Sequence, residues 1–96
     1  MLFSLPLLVA SAVATAQTYD VRKYCESVSQ AVGGSYVIEK ACQDQENQAK
    51  AAIAARSIEG RVRQHCDEVG TVIGGSYQIF KSCVDQEEAA KRSLGR

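Results

Sequence analysis

Apolar residues recur at helical spacing along most of the chain, and strand-like alternation is absent. Val21, Cys25, Val28 and Val32 fall at steps of four, three and four, which places them on one face of a helix. Gly33-Gly34 follows and ends that helix, because glycine takes the left-handed cap position without a Cβ clash. Ser35 is a good N-cap for a second helix, in which Ile38, Cys42, Gln45, Ala49 and Ala52 or Ile53 share a face. The same order then returns. Val62, Cys66, Val69 and Ile73 precede Gly74-Gly75 and Ser76, and Ile79, Cys83, Gln86, Ala90 and Leu94 follow. The pattern predicts an all-α chain of two helical hairpins.

Residues 21–53 align with 62–94 without a gap, and sixteen of the thirty-three positions are identical. That is a tandem duplication of one supersecondary unit. The joining stretch AKAAIAARSIEGRVRQ, residues 49–64, has no proline and reads as helix interrupted at Gly60. The repeat period of forty-one residues leaves a net rotation of about 140° along a straight helix. An unbroken helix would therefore turn the two apolar stripes apart. A break near Ser57–Gly60 lets both face a common centre, so the expected fold is a compact four-helix array. The alternative is three helices with a long central one, dimerised to cover its stripes.

Four cysteines allow three pairings. Cys25 and Cys42 lie equally far before and after the Gly33-Gly34 turn, at about 13 Å along each helix. In an antiparallel hairpin they meet at one height, and Cys66 and Cys83 repeat the arrangement. Bridges Cys25–Cys42 and Cys66–Cys83 follow, each contributing about 3 kcal/mol by loop entropy. A disulfide-closed helical hairpin resembles in general plan the twin-cysteine hairpins of the mitochondrial intermembrane space. Those carry two bridges per hairpin at nine-residue spacing. Here one bridge closes each hairpin across sixteen intervening residues, so only the plan is shared.

The chain opens MLFSLPLLVASAVATAQ, an apolar run ending in Ala14-Thr15-Ala16. It reads as a secretory signal peptide over residues 1–16, although no Lys or Arg precedes the apolar core. The hairpin repeats are then assigned to 17–56 and 57–96. Export to a periplasm or to the outside suits the disulfides. After signal removal no stretch is apolar enough for a stable membrane span.

Eleven basic and eleven acidic residues balance, with the signs alternating, so nucleic acid is not an expected partner. Between residues 17 and 96 the only Phe is Phe80 and the only Leu is Leu94. A core of Val, Ile and Ala at this size is marginal without staples.

Candidate chemistry is thin. The wide cysteine spacing does not suit a zinc site, which draws its ligands from close-set pairs, and no C-x-x-C redox pair is present. His65, the only histidine, has no nucleophile arranged for it by sequence. Asp44, Glu46, Asp85 and Glu87 lack the spacing of a calcium loop. The i,i+4 pairs Lys40/Asp44, Lys81/Asp85, Glu46/Lys50, Glu87/Lys91, Arg22/Glu26 and Arg63/Asp67 read as a solvated helix face. Gln45 and Gln86 fall on the apolar stripe and need polar partners there. Tyr36 and Tyr77, just after the caps, point mostly outward on helical phase and are contact candidates. Ile58-Glu59-Gly60-Arg61 marks a place where trypsin-like proteases cut if the linker is open.

The expectation is a small exported protein that binds or supports through protein contacts and catalyses nothing, without a cofactor. Tyr36, Tyr77, Lys40, Lys81, Gln45 and Gln86 are its candidate contacts. Its partner is another protein, with a homodimer possible. One alternative is a non-catalytic accessory subunit of an exported enzyme. A weaker one is a small hydrolase or metal-handling protein built on His65.

Overall fold

The computed structural model describes residues 18–96, so the expected signal peptide lies outside the described residues. Among the described residues are four α-helices: α1 Val21–Ala31, α2 Tyr36–Ala54, α3 Gly60–Val72 and α4 Tyr77–Ser93. They form two antiparallel hairpins, α1–α2 and α3–α4, joined by packing of α2 on α4. This is the four-helix array; the long central helix does not form. The break falls at 55–59, and Gly60 begins α3 rather than ending α2.

Local chemistry sets each boundary. Asp20 caps α1 by accepting from the Lys23 N–H at 3.0 Å. Ser35 and Ser76 cap α2 and α4 by accepting from the Ile38 and Ile79 N–H groups, each at 3.2 Å. Gly33 and Gly34 adopt φ of 93° and 81°, and Gly74 and Gly75 adopt 104° and 88°. In each turn the second glycine N–H returns to the helix, Gly34 to the Ser29 carbonyl at 2.8 Å and Gly75 to the Gly70 carbonyl at 2.9 Å. Cys25–Cys42 and Cys66–Cys83 bridge the hairpins at Cα separations of 5.6 and 5.5 Å.

The core is off-centre. Around Tyr77, Phe80 and Val84 of α4 gather Ala49 and Ile53 of α2 and Val62 and Cys66 of α3, with Tyr19, Val21 and Ile58 at the margin. The predicted stripes are only partly buried. Beyond the disulfides, Val32, Ile38, Val69, Ile73 and Ile79 remain exposed. The cause is geometric, since α1 and α3 each pack only on their own hairpin partner.

Gln45 and Gln86 do not lie inward. Both are exposed, Gln45 accepting from Gln78 Nε2 at 3.0 Å and Gln86 donating to Ser82 Oγ at 3.5 Å. The face that α2 buries passes through Glu46, Ala49 and Ile53, one residue further on. Each second helix has two neighbours, and the cysteine face touches only one of them.

Two clips hold the hairpins together at the margins. Arg56, just past α2, pairs with Asp85 at 2.7 Å and Glu88 at 2.6 Å on α4. The hydrogen bond from Arg56, then that from Lys81, holds the Asp85 carboxyl below its usual range. At the other end, Tyr19 is a strap laid across the second hairpin. Its N–H donates to Tyr77 Oη at 3.0 Å and its hydroxyl donates to Asp67 Oδ1 at 2.7 Å. Its ring meets those of Tyr77 and Phe80 at centroid distances of 4.9 and 6.4 Å.

The strap explains one difference between the repeats. Ser29 of the first unit is buried and donates to the Ser35 carbonyl at 2.7 Å. Its counterpart is Gly70, where a Cβ would stand 2.8 Å from Tyr19 Oη and 3.4 Å from the Ser76 carbonyl oxygen. Gly70→Ala should therefore destabilise the fold by about 1–2 kcal/mol by overpacking, read from thermal or denaturant melts. In a Tyr19→Ala background the same change should stabilise, because helical Ala then outranks Gly by up to about 1 kcal/mol.

Burial raises the Tyr19 phenol above its ordinary value of 10.0, assisted by the hydrogen bond to Asp67. A raised folded pKa means that stability is full below pH 10.0 and falls as the pH climbs past that unfolded value. Tyr19→Phe should be less stable by about 1 kcal/mol at neutral pH. The gap should narrow as melts are repeated above pH 10, since the variant lacks that titration.

Candidate protein-interaction site

The hairpins meet at a buried carboxylate. Glu46, midway along α2 on the side that faces α4, is only 1 % exposed. Its Oε2 accepts from Ser76 Oγ at 2.6 Å, and its Oε1 accepts from the Tyr77 N–H at 2.6 Å. The Gln78 N–H approaches Oε2 at 3.4 Å. These donors are the N-terminus of α4, whose first N–H groups have no partner within the helix. The helix dipole favours a negative group there, and charge-assisted bonds are the stronger kind. Ser76 acts twice, capping Ile79 and donating to Glu46. Lys50, one turn on from Glu46, sets its ammonium 5.7 Å from the Tyr77 ring centroid.

The repeat places the same parts elsewhere without this contact. Ser35-Tyr36 is the counterpart of Ser76-Tyr77, yet Tyr36 is 86 % exposed while Tyr77 is 2 % exposed. Val37 and Val32 beside Tyr36 are exposed too, so the first tip is open and apolar. Glu87 is the counterpart of Glu46 and is half-exposed, with Oε2 3.9 Å from His65 Nε2. The expectation that both tyrosines point outward thus holds at Tyr36 and fails at Tyr77, which is buried inside the joint between the hairpins.

The reason lies in two positions. Phe80 and Val84, fully buried on α4, correspond to Glu39 and Gln43 on α2. Only the second unit has an apolar surface behind its tip, so only that tip is drawn onto the other hairpin. Sequence comparison of the repeats shows this contrast, and it is the signal that could have located the joint. Glu46 itself left none, being identical to Glu87.

The remaining candidates are separate. Lys40 pairs with Asp44 at 2.8 Å and Lys81 with Asp85 at 3.0 Å along their own helices. The Arg22/Glu26 pair forms at 3.4 Å. The predicted Glu46/Lys50 pair gives way to the buried joint, and Lys91 pairs with Glu59 at 3.2 Å. His65 lies beyond hydrogen-bond reach of Glu87. Among the described residues no three His, Cys, Asp or Glu side chains converge to hold a metal ion. Nor, among them, is any helix long and apolar enough to cross a membrane. An open cleft of about 950 Å³ separates α1 from α3, floored by Tyr19, Tyr24, Val28 and Ile73. The carboxylates on its walls are already engaged, Asp67 by Tyr19 and Asp20 by the Lys23 N–H.

No protein-family model matches the chain, and no curated protein or solved structure is detectably similar to it.

Glu46→Gln should destabilise by about 2–3 kcal/mol, because an amide NH₂ would face the donors now held by an oxygen. Glu87→Gln should change stability by less than about 0.5 kcal/mol. Denaturant melts of the two variants measure the contrast.

Proposed function

We propose that this is an exported, non-catalytic binding protein whose recognition element is the tip of the first hairpin. One observation carries the reading. Two tips share the sequence Gly-Gly-Ser-Tyr; one grips a carboxylate-bearing helix within the chain, and the other presents the same groups to solvent. Tyr36 offers a large rigid contact surface, Val32 and Val37 add apolar area, and the α2 N-terminus offers donors to an acidic side chain. The partner is a protein presenting a helix with an exposed carboxylate beside small apolar residues. The disulfides hold the tip rigid, so little order is lost on binding. The exposed apolar tip also suits docking onto a larger exported enzyme, in which case the chain is its accessory subunit.

A photo-crosslinking residue at position 36, in protein secreted with its disulfides intact, should capture a protein partner, while the same residue at the exposed position 48 of α2 should not. Tyr36→Ala should leave the melting temperature unchanged and weaken that partner's binding by roughly 30-fold, the loss typical of an aromatic anchor. Equal capture at both positions would refute the assignment of the tip.

A further inference from the structure

We propose that the open tip takes a second copy of this chain, which docks through the α4 face bearing Glu87, Ala90 and Lys91. The inference rests on the tip being the binding element. It deepens that reading by naming the occupant.

The joint inside the chain has a plug and a socket. The plug is Glu46, Ala49, Lys50 and Ile53 of α2; the socket is Ser76, Tyr77, Phe80 and Val84 at the start of α4. The duplication supplies a second plug, Glu87, Ala90, Lys91 and Leu94, in the same order at the same helical spacing. It also supplies a second socket at Ser35 and Tyr36. Within one chain the two do not meet, and the plug's polar groups hold only exposed partners, Lys91 pairing with Glu59 at 3.2 Å and Glu87 lying 3.9 Å from His65. Leu94 is 67 % exposed, and Glu87, Lys91, Val62 and Leu94 line a hollow of about 170 Å³. A single chain does not join its own free ends: the plug faces the start of α3, and Tyr36 in the socket stays 86 % exposed. A neighbouring copy can.

In that joint the Glu87 carboxylate accepts from the Ser35 hydroxyl and the Tyr36 N–H of the next copy, as Glu46 does from Ser76 and Tyr77. Lys91 covers the Tyr36 ring as Lys50 covers that of Tyr77. The apolar core is not reproduced, since Glu39 and Gln43 replace Phe80 and Val84. Arg61 and Arg96 stand at the rim of the hollow and supply opposite charge for Glu39 of the docked copy. The contact between copies is therefore more polar than the joint within the chain, weaker, and sensitive to salt. Plug and socket are different surfaces, so the association is head-to-tail and grows openly rather than closing as a two-fold dimer.

Sedimentation velocity on the disulfide-bonded chain, from micromolar to millimolar concentration, tests this. The sedimentation coefficient should climb with concentration without a plateau at dimer, and should fall back when salt is added. Glu87→Gln removes the plug's charge, and Tyr36→Asp sets a like charge in the socket while suiting a helix N-terminus. Each variant should melt like the wild type and stay monomeric at least tenfold further up the concentration series. An equimolar mixture should form a one-to-one dimer and nothing larger, because one variant keeps the socket and the other the plug. A two-fold dimer that survives both substitutions overturns the proposal. So does a wild type that stays monomeric throughout. In that last case, capture of a different protein at position 36 leaves the tip as the binding element, whereas no capture removes both readings.

Discussion

The arrangement of the two hairpins depends on one buried carboxylate. A charged group with 1 % exposure is tolerable only if its lone pairs are met, and Glu46 meets them with the hydroxyl and N–H groups at the start of α4. The contact resolves two difficulties together. It gives the orphan donors of a helix N-terminus an acceptor, and it gives a carboxylate placed between two helices a positive end to face. Apolar burial alone would let α2 slide on α4, since Ala49, Ile53, Phe80 and Val84 offer shape but no fixed register. The directional bonds at Ser76 and Tyr77 set it.

The disulfides act one level below. Each hairpin has a short first helix, eleven or thirteen residues, packed on one partner only. Helices of that length are marginal alone. The Cys25–Cys42 and Cys66–Cys83 bridges fix each pair at mid-height and place buried sulfur where larger chains would place leucine. What remains for the apolar core is the docking of two preformed units. Phe80 stands at its centre with Tyr19 laid across it, and the bonds of Glu46 fix the register.

The hairpins, their turns, their caps and the cysteine pairing were legible in the sequence because each follows from local spacing. The break between the units was legible from the repeat period. The faces that join the hairpins were not. Helical phase identifies an apolar stripe, and α2 and α4 carry two buried faces, one toward the disulfide and one toward each other. The stripe therefore points Gln45 inward, whereas Glu46 is the residue that α2 buries. The deeper obstacle is that identical residues have unlike surroundings. Tyr36 and Tyr77, or Glu46 and Glu87, cannot be told apart by residue type or by place in the repeat. They differ because Phe80 and Val84 make one unit's surface apolar while Glu39 and Gln43 keep the other's polar. Gly70 opposite Ser29 carries the same lesson, since only the strap of Tyr19, from outside the repeat, explains it.

Amide hydrogen exchange at the two helix starts tests the central claim most directly. Tyr36 and Tyr77 each begin a helix after the same Gly-Gly-Ser, and neither N–H has an acceptor within its own helix. Protection at Tyr77 can then come only from the Glu46 carboxylate and the burial that accompanies it. In dilute monomeric protein the Tyr77 amide should exchange orders of magnitude more slowly than the Tyr36 amide, approaching the rate of the core. Equal, fast exchange at both would contradict the joint and everything built on it.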